Sequence, residues 1–143
     1  MTNIDFYILQ DSAITAREQF ACRLVEKAIQ SNHRVFIALD DSDQAQNFSN
    51  HLWSFKPESF AAHVTQEDNQ GDSQVLLAWQ ADDESHHDVM INLQSRVPDH
   101  FSRFQQLMEV VVQDELILSA TRANFQFYRH RGYPLKWHKI GNR

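Results

Sequence analysis

The last 28 residues, Leu116 to Arg143, hold six basic side chains, five aromatic rings and no carboxylate. The cations are Arg122, Arg129, Arg131, Lys136, Lys139 and Arg143, and the rings are Phe125, Phe127, Tyr128, Tyr133 and Trp137. Cations attract an anion while ring faces accept something flat or apolar, so the mixture suits a nucleic acid or an acidic peptide. The rest of the chain has the opposite sign. Of thirteen Lys and Arg, the other seven face all nineteen Asp and Glu, which leaves residues 1–115 at −12 and the tail at +6. The competing reading is a solvated basic face with core aromatics between.

A helix running from about Asp114 to Arg131 would position these groups. Leu116, Ala120, Ala123 and Phe127 recur at helical spacing and are expected to form its buried stripe, while Arg122, Phe125, Gln126 and Arg129 fall on another side. Asp114 and Glu115 oppose the positive end of the helix dipole, and Arg129, His130 and Arg131 oppose the negative end. Gly132 is placed to take a left-handed cap before Pro134. Helix-end electrostatics do not account for Arg122 or for the ring beside it, so a recognition site is expected there.

Other chemistry finds little support. With only Gly71, Gly132 and Gly141 in the chain, no glycine-rich turn follows the first apolar run to bind a phosphate. No Gly-x-Ser-x-Gly elbow occurs, and the single cysteine, Cys22, sits on the apolar side of a helical pattern as a small buried hydrophobe. His86, His87 and Asp88 are capable of binding metal, but adjacent histidines point apart, which favours a surface loop. No catalytic residue, metal or cofactor is expected.

The framework is an α/β domain, read as a single unit over residues 1–143. Phe6–Leu9, Val35–Leu39, Val75–Trp79, Val89–Leu93 and Met108–Val112 are continuous apolar runs, as strands covered on both faces would be, and predict a largely parallel central sheet of Rossmann-like type. Between the first two, Thr15 and Glu18 offer a capping box for a helix reaching Ser31 and Asn32. A second helix is predicted over 41–53 with Ala45, Phe48 and Leu52 inward, and a short third one after Pro98 and Asp99. Residues 65–74 and 81–88 read as loops, and between Lys56 and Arg96 there are eight carboxylates and no Lys or Arg. No run approaches the ~20 apolar residues of a membrane span, and the start lacks a signal-peptide pattern, so a cytoplasmic protein without membrane contact is expected.

Three segments together resemble the chi subunit of bacterial DNA polymerase III. They are Ile4–Leu9, then Leu52 and Trp53 followed by Pro57–Phe60 and His63, and finally Tyr128 and Arg129 followed by Gly132 and Tyr133. The resemblance covers essentially the whole chain in matching order. It implies a non-catalytic adaptor on a Rossmann-like domain, with one surface for the psi subunit of the clamp loader. Another surface would hold the acidic, Phe-terminated C-terminal tail of single-stranded-DNA-binding protein, giving only an indirect association with DNA.

Carried over by position, the resemblance implies a tail site of Arg122, Phe125, Gln126, Tyr128, Arg129, Gly132 and Tyr133. Phe125 stands where the family pattern has tyrosine, and Gln126 where it has lysine. The psi-facing surface would lie around Trp53 and Phe60, and a substitute partner such as a helicase could use it. Direct binding of single-stranded nucleic acid through the basic-aromatic helix is the alternative, although a charge of −12 elsewhere opposes a long polyanion.

Overall fold

The computed structural model describes residues 1–55, 64–65, 74–80 and 86–141. The five expected apolar runs all become strands: β1 (Asn3–Leu9), β2 (Val35–Ala38), β4 (Val75–Ala78), β5 (Val89–Asn92) and β6 (Gln106–Val111). A two-residue strand β3 (Val64–Thr65) lies beside β4, so Thr65 belongs to the sheet and not to the loop expected from 65 onward. A seventh strand, β7 (Leu135–Ile140), completes the order β3-β4-β2-β5-β6-β1-β7, and every neighbouring pair is parallel.

Parallel strands need crossovers, and these supply the two covering layers. Helices α1 (Ile14–Gln30) and α2 (Ser42–Phe55) cover one face, and α3 (Glu115–His130) with the 3-10 turn at Phe101–Arg103 covers the other. Alternation along each strand divides the core accordingly. Val35, Ile37, Val75, Leu77, Val89, Ile91 and Val110 pack under α1 and α2, while Phe36, Leu76, Met90, Leu107 and Val111 face the α3 side. The continuous apolar runs reflect this two-sided burial.

Helix α2 buries Ala45, Phe48 and Leu52 as the spacing predicts. Helix α1 buries Ala21, Cys22, Leu24, Val25 and Ala28, and Asn32 closes it in a left-handed conformation. The capping box does not form. Helix α1 starts one residue before Thr15, its N-cap Ala13 has no side-chain oxygen to offer, and Glu18 turns instead to His51 of α2 at 3.1 Å. Burial pushes the Cys22 thiol up to about 12, so it stays protonated and inert near neutrality. The short third helix shrinks to the 3-10 turn at Phe101–Arg103.

His86 corrects the reading of a surface pair. It is fully buried with its ring edge-on to Phe36 at 6.4 Å, whereas His87 is exposed and Asp88 accepts from the Arg34 amide at 2.8 Å. The two histidines do point apart, and among the described residues no cluster of three metal-capable side chains occurs. Among the same residues no helix is long and apolar enough to cross a membrane.

Candidate functional site

Helix α3 is set by its ends and by one buried carboxylate. Asp114 caps the start by accepting from the Ile117 amide at 3.2 Å. At the other end Gly132 takes φ +79°, its N–H donates to the Arg129 carbonyl, and the Tyr133 N–H reaches the Tyr128 carbonyl at 3.2 Å. This is the left-handed closure expected at Gly132.

The face between these ends differs from the expected stripe. Leu116 is 82% exposed and Ala123 is exposed as well, and of the expected stripe Phe127 packs against the core, as do Leu118 and Phe125, while the line through the two buried residues runs Ile117, Thr121, Asn124 and Tyr128. These recur at +4, +3 and +4, the expected spacing displaced by one residue. The displacement follows from polar chemistry that an apolar count overlooks. Tyr128 Oη donates to Glu109 Oε2 at 2.6 Å and Asn92 Nδ2 donates to the same oxygen at 2.8 Å, with Asn124 buried on the same side of α3 as Tyr128. Burial holds the Glu109 carboxyl above the usual carboxylate range, opposed by these hydrogen bonds and by the charge of Arg17. Burial, with the nearby Glu109, also raises the Tyr128 phenol, which therefore stays a donor.

With α3 in this setting, Arg122, Phe125 and Gln126 line an apolar groove of about 250 Å³ together with Ile8, Val111, Leu118, Thr121 and Trp137. Trp137 is its far wall, 49% exposed and stacked on Phe6 at 4.7 Å, with Phe125 at 4.9 Å from it. Strand alternation puts Lys139 on the same side of β7 as Trp137, and Lys139 pairs in register with the groove residue Ile8. Arg129 is exposed on the same stripe as Arg122, about 10 Å further along the axis. An apolar slot between cations can take a ring and hold the carboxylates attached to it.

The remaining expected site residues separate. Tyr128 is fully buried and cannot touch a surface ligand; its part is to anchor α3 through Glu109. Gly132 shapes the turn, and Tyr133 packs on Phe101 at 5.1 Å, outside the groove lining. Arg131 lies over the Phe127 ring at 3.8 Å. Trp53 is 49% exposed on α2, across the sheet from the groove, and Phe60 lies outside the described residues. Trp137 did not emerge as a site residue because the segment after Pro134 reads as a basic tail. Its alternation of Leu135, Trp137 and Lys139 with Lys136, His138 and Ile140 is the signal that would have placed it on a strand. A larger cleft of about 460 Å³ lies between α1, the end of α2 and the ends of β1 and β7, lined by Gln10, Arg23 and His51 among others, and contains no comparable apolar surface between cations.

The chain is a parallel α/β domain with an apolar, cation-flanked groove between α3 and β7. The family model described as DNA polymerase III chi subunit, HolC, matches residues 1–136. The DNA polymerase III subunit chi of Pseudomonas aeruginosa is 36% identical over 140 residues, covering 98% of each chain. That of Escherichia coli K12 is 29% identical over 141 residues, covering 94% of this chain and 96% of its own. The chain belongs to the DNA polymerase III chi subunit family, the accessory side of the bacterial replicase. In fold it is also similar to domain 2 of the DEAD-box helicase Mss116p, solved bound to an RNA duplex. There the TM-score is 0.62 at 11% identity, over 97% of this chain and 65% of that one.

Proposed function

We propose that this chain is a non-catalytic adaptor of the replicase that grips the acidic, Phe-terminated tail of single-stranded-DNA-binding protein in the groove between α3 and β7. Membership of the chi family supports the accessory role. The observation that carries the tail reading is the groove itself, an apolar slot walled by Phe125 and Trp137 with Arg122 in its lining and Lys139 beside it. A terminal Phe ring contributes ~1.5–3 kcal/mol on burial, and a few charge-assisted contacts add a comparable amount before association entropy is deducted, which gives micromolar-scale binding. Gln126 contributes no charge, so Arg122 and Arg129 carry the attraction on α3. Removing the last Phe from a synthetic acidic peptide should abolish binding measured by fluorescence anisotropy; equal affinity without the ring would refute the reading.

The psi subunit, or a substitute such as a helicase, would dock across the sheet around Trp53 and the segment carrying Phe60. Phe60→Ala should then weaken that docking and leave tail binding unchanged. Loss of both together, with the fold intact, would show one shared surface. An exposed Trp137 beside lysines also suits stacking on a single-stranded oligonucleotide. Competition by an oligonucleotide for the peptide would support that second use.

A further inference from the structure

The groove opens onto the outer edge of the sheet. Strand β7 pairs only with β1, and among the described residues no strand lies on its other side. The ladder identifies which backbone groups face out. Ile4 stands opposite Leu135 in register, and its N–H donates to the Pro134 carbonyl at 3.1 Å. In a parallel ladder, Lys136, His138 and Ile140 then turn their amides toward β1, and Leu135, Trp137 and Lys139 turn theirs outward.

The side chains along this edge are cationic on both faces. Lys139 shares the α3 face with Trp137, while Lys136 falls on the opposite face with His138, and both lysines are exposed. The strand is also firmly held, as an added strand requires. His138 meets Asp5 of β1 at 2.8 Å and stacks on Tyr7 at 4.7 Å, and Trp137 stacks on Phe6. We propose that the outer edge of β7 is a strand-addition site for an extended acidic peptide segment, continuous with the groove that takes the segment's aromatic end.

The proposal rests on the tail reading above and extends it to the backbone. The occupant is acidic because a lysine flanks the edge on each face. It is extended because the outward amides of Trp137 and Lys139 repeat every second residue and match only another strand. Lysines also keep a bare edge from pairing with copies of itself, and that lesser role would leave the outward amides exposed to solvent with peptide bound.

Amide hydrogen exchange on the full chain with a saturating, short Asp-rich peptide ending in Phe separates these cases. Strand addition predicts that the Trp137 and Lys139 amides slow by ~10-fold or more on binding. Unchanged exchange at these amides, with the peptide demonstrably bound, overturns strand addition and leaves the groove reading standing. No peptide binding at all overturns both. A second comparison isolates the backbone group, because proline is tolerated where an edge-strand N–H faces solvent. Lys139→Pro loses the charge and the N–H, and Lys139→Ala only the charge, so the proline variant should bind roughly fivefold more weakly than the alanine variant. Equal affinities would contradict the proposal.

Discussion

Helix α1 buries Ala21, Cys22, Leu24, Val25 and Ala28 against one face of the sheet, whereas the buried residues of α3 on the other face are Asn124 and Tyr128, of which Tyr128 is tied to Glu109. Apolar burial is strong but indifferent to small rotations of a helix, and hydrogen bonds to one carboxylate are weaker but directional. The α1 and α2 layer therefore carries stability. The α3 layer trades some of that for a fixed rotational setting, with Arg122, Phe125 and Gln126 aimed into a groove instead of a core. Phe125 and Trp137 are left partly exposed along that groove.

Substitutions in the two layers should have separable consequences. Phe48→Ala in the α2 layer should cost about 3–5 kcal/mol by urea denaturation, because a fully buried ring leaves a cavity. Peptide affinity of the fraction still folded should not change. Glu109→Ala should cost about 3 kcal/mol, since Tyr128 and Asn92 lose their acceptor. Unlike the first variant, it should also weaken peptide binding by freeing α3 to turn.

The same carboxyl has a pH signature. Its folded-state pKa is raised, so the stability it contributes is fully present below the ordinary value of about 4.3 and is lost as pH rises through the raised value. Glu109→Gln cannot ionise. Its urea midpoint should therefore gain on the wild type as pH climbs from about 4 toward neutrality. A constant gap would mean that Glu109 titrates normally. Trp137→Ala should be milder in stability, about 1–2 kcal/mol for a half-exposed ring, yet it should remove most peptide binding by taking away one wall of the slot.

Apolar continuity made the five main strands and both helices of the α1 and α2 layer readable from sequence, since two-sided burial leaves a simple pattern. The α3 side was harder for a physical reason. Its buried residues, Asn124 and Tyr128, are polar, so an apolar count selected Leu116 and Ala123, which face solvent, along with Phe127, which does pack on the core. Arg122, Phe125 and Gln126 still emerged together, because cations beside a ring in mid-helix have no explanation in helix-end electrostatics. Trp137 and the strand that holds it did not emerge. Edge strands with lysines look like solvated tails until a neighbouring strand is seen. Tyr128 resembles a binding residue by position and serves as an anchor, a difference visible only once Glu109 lies beneath it.

Two arginines of one basic segment distinguish whether the α3 and β7 groove is the binding site. Arg122 lines the groove, and Arg131 lies over Phe127 outside it. Each alanine variant should stay within about 0.5 kcal/mol of the wild type in stability, as surface substitutions usually do. Anisotropy of a labelled acidic peptide ending in Phe should then be read at ~50 and ~300 mM salt, over which the Debye length shortens roughly 2.4-fold. The groove predicts that Arg122→Ala weakens binding about tenfold and flattens its salt dependence, because a charge-assisted contact contributes ~1.5–3 kcal/mol. Arg131→Ala should change little. Binding that ignores Arg122→Ala and salt, or that falls more with Arg131→Ala, would contradict the account and move the site off this groove.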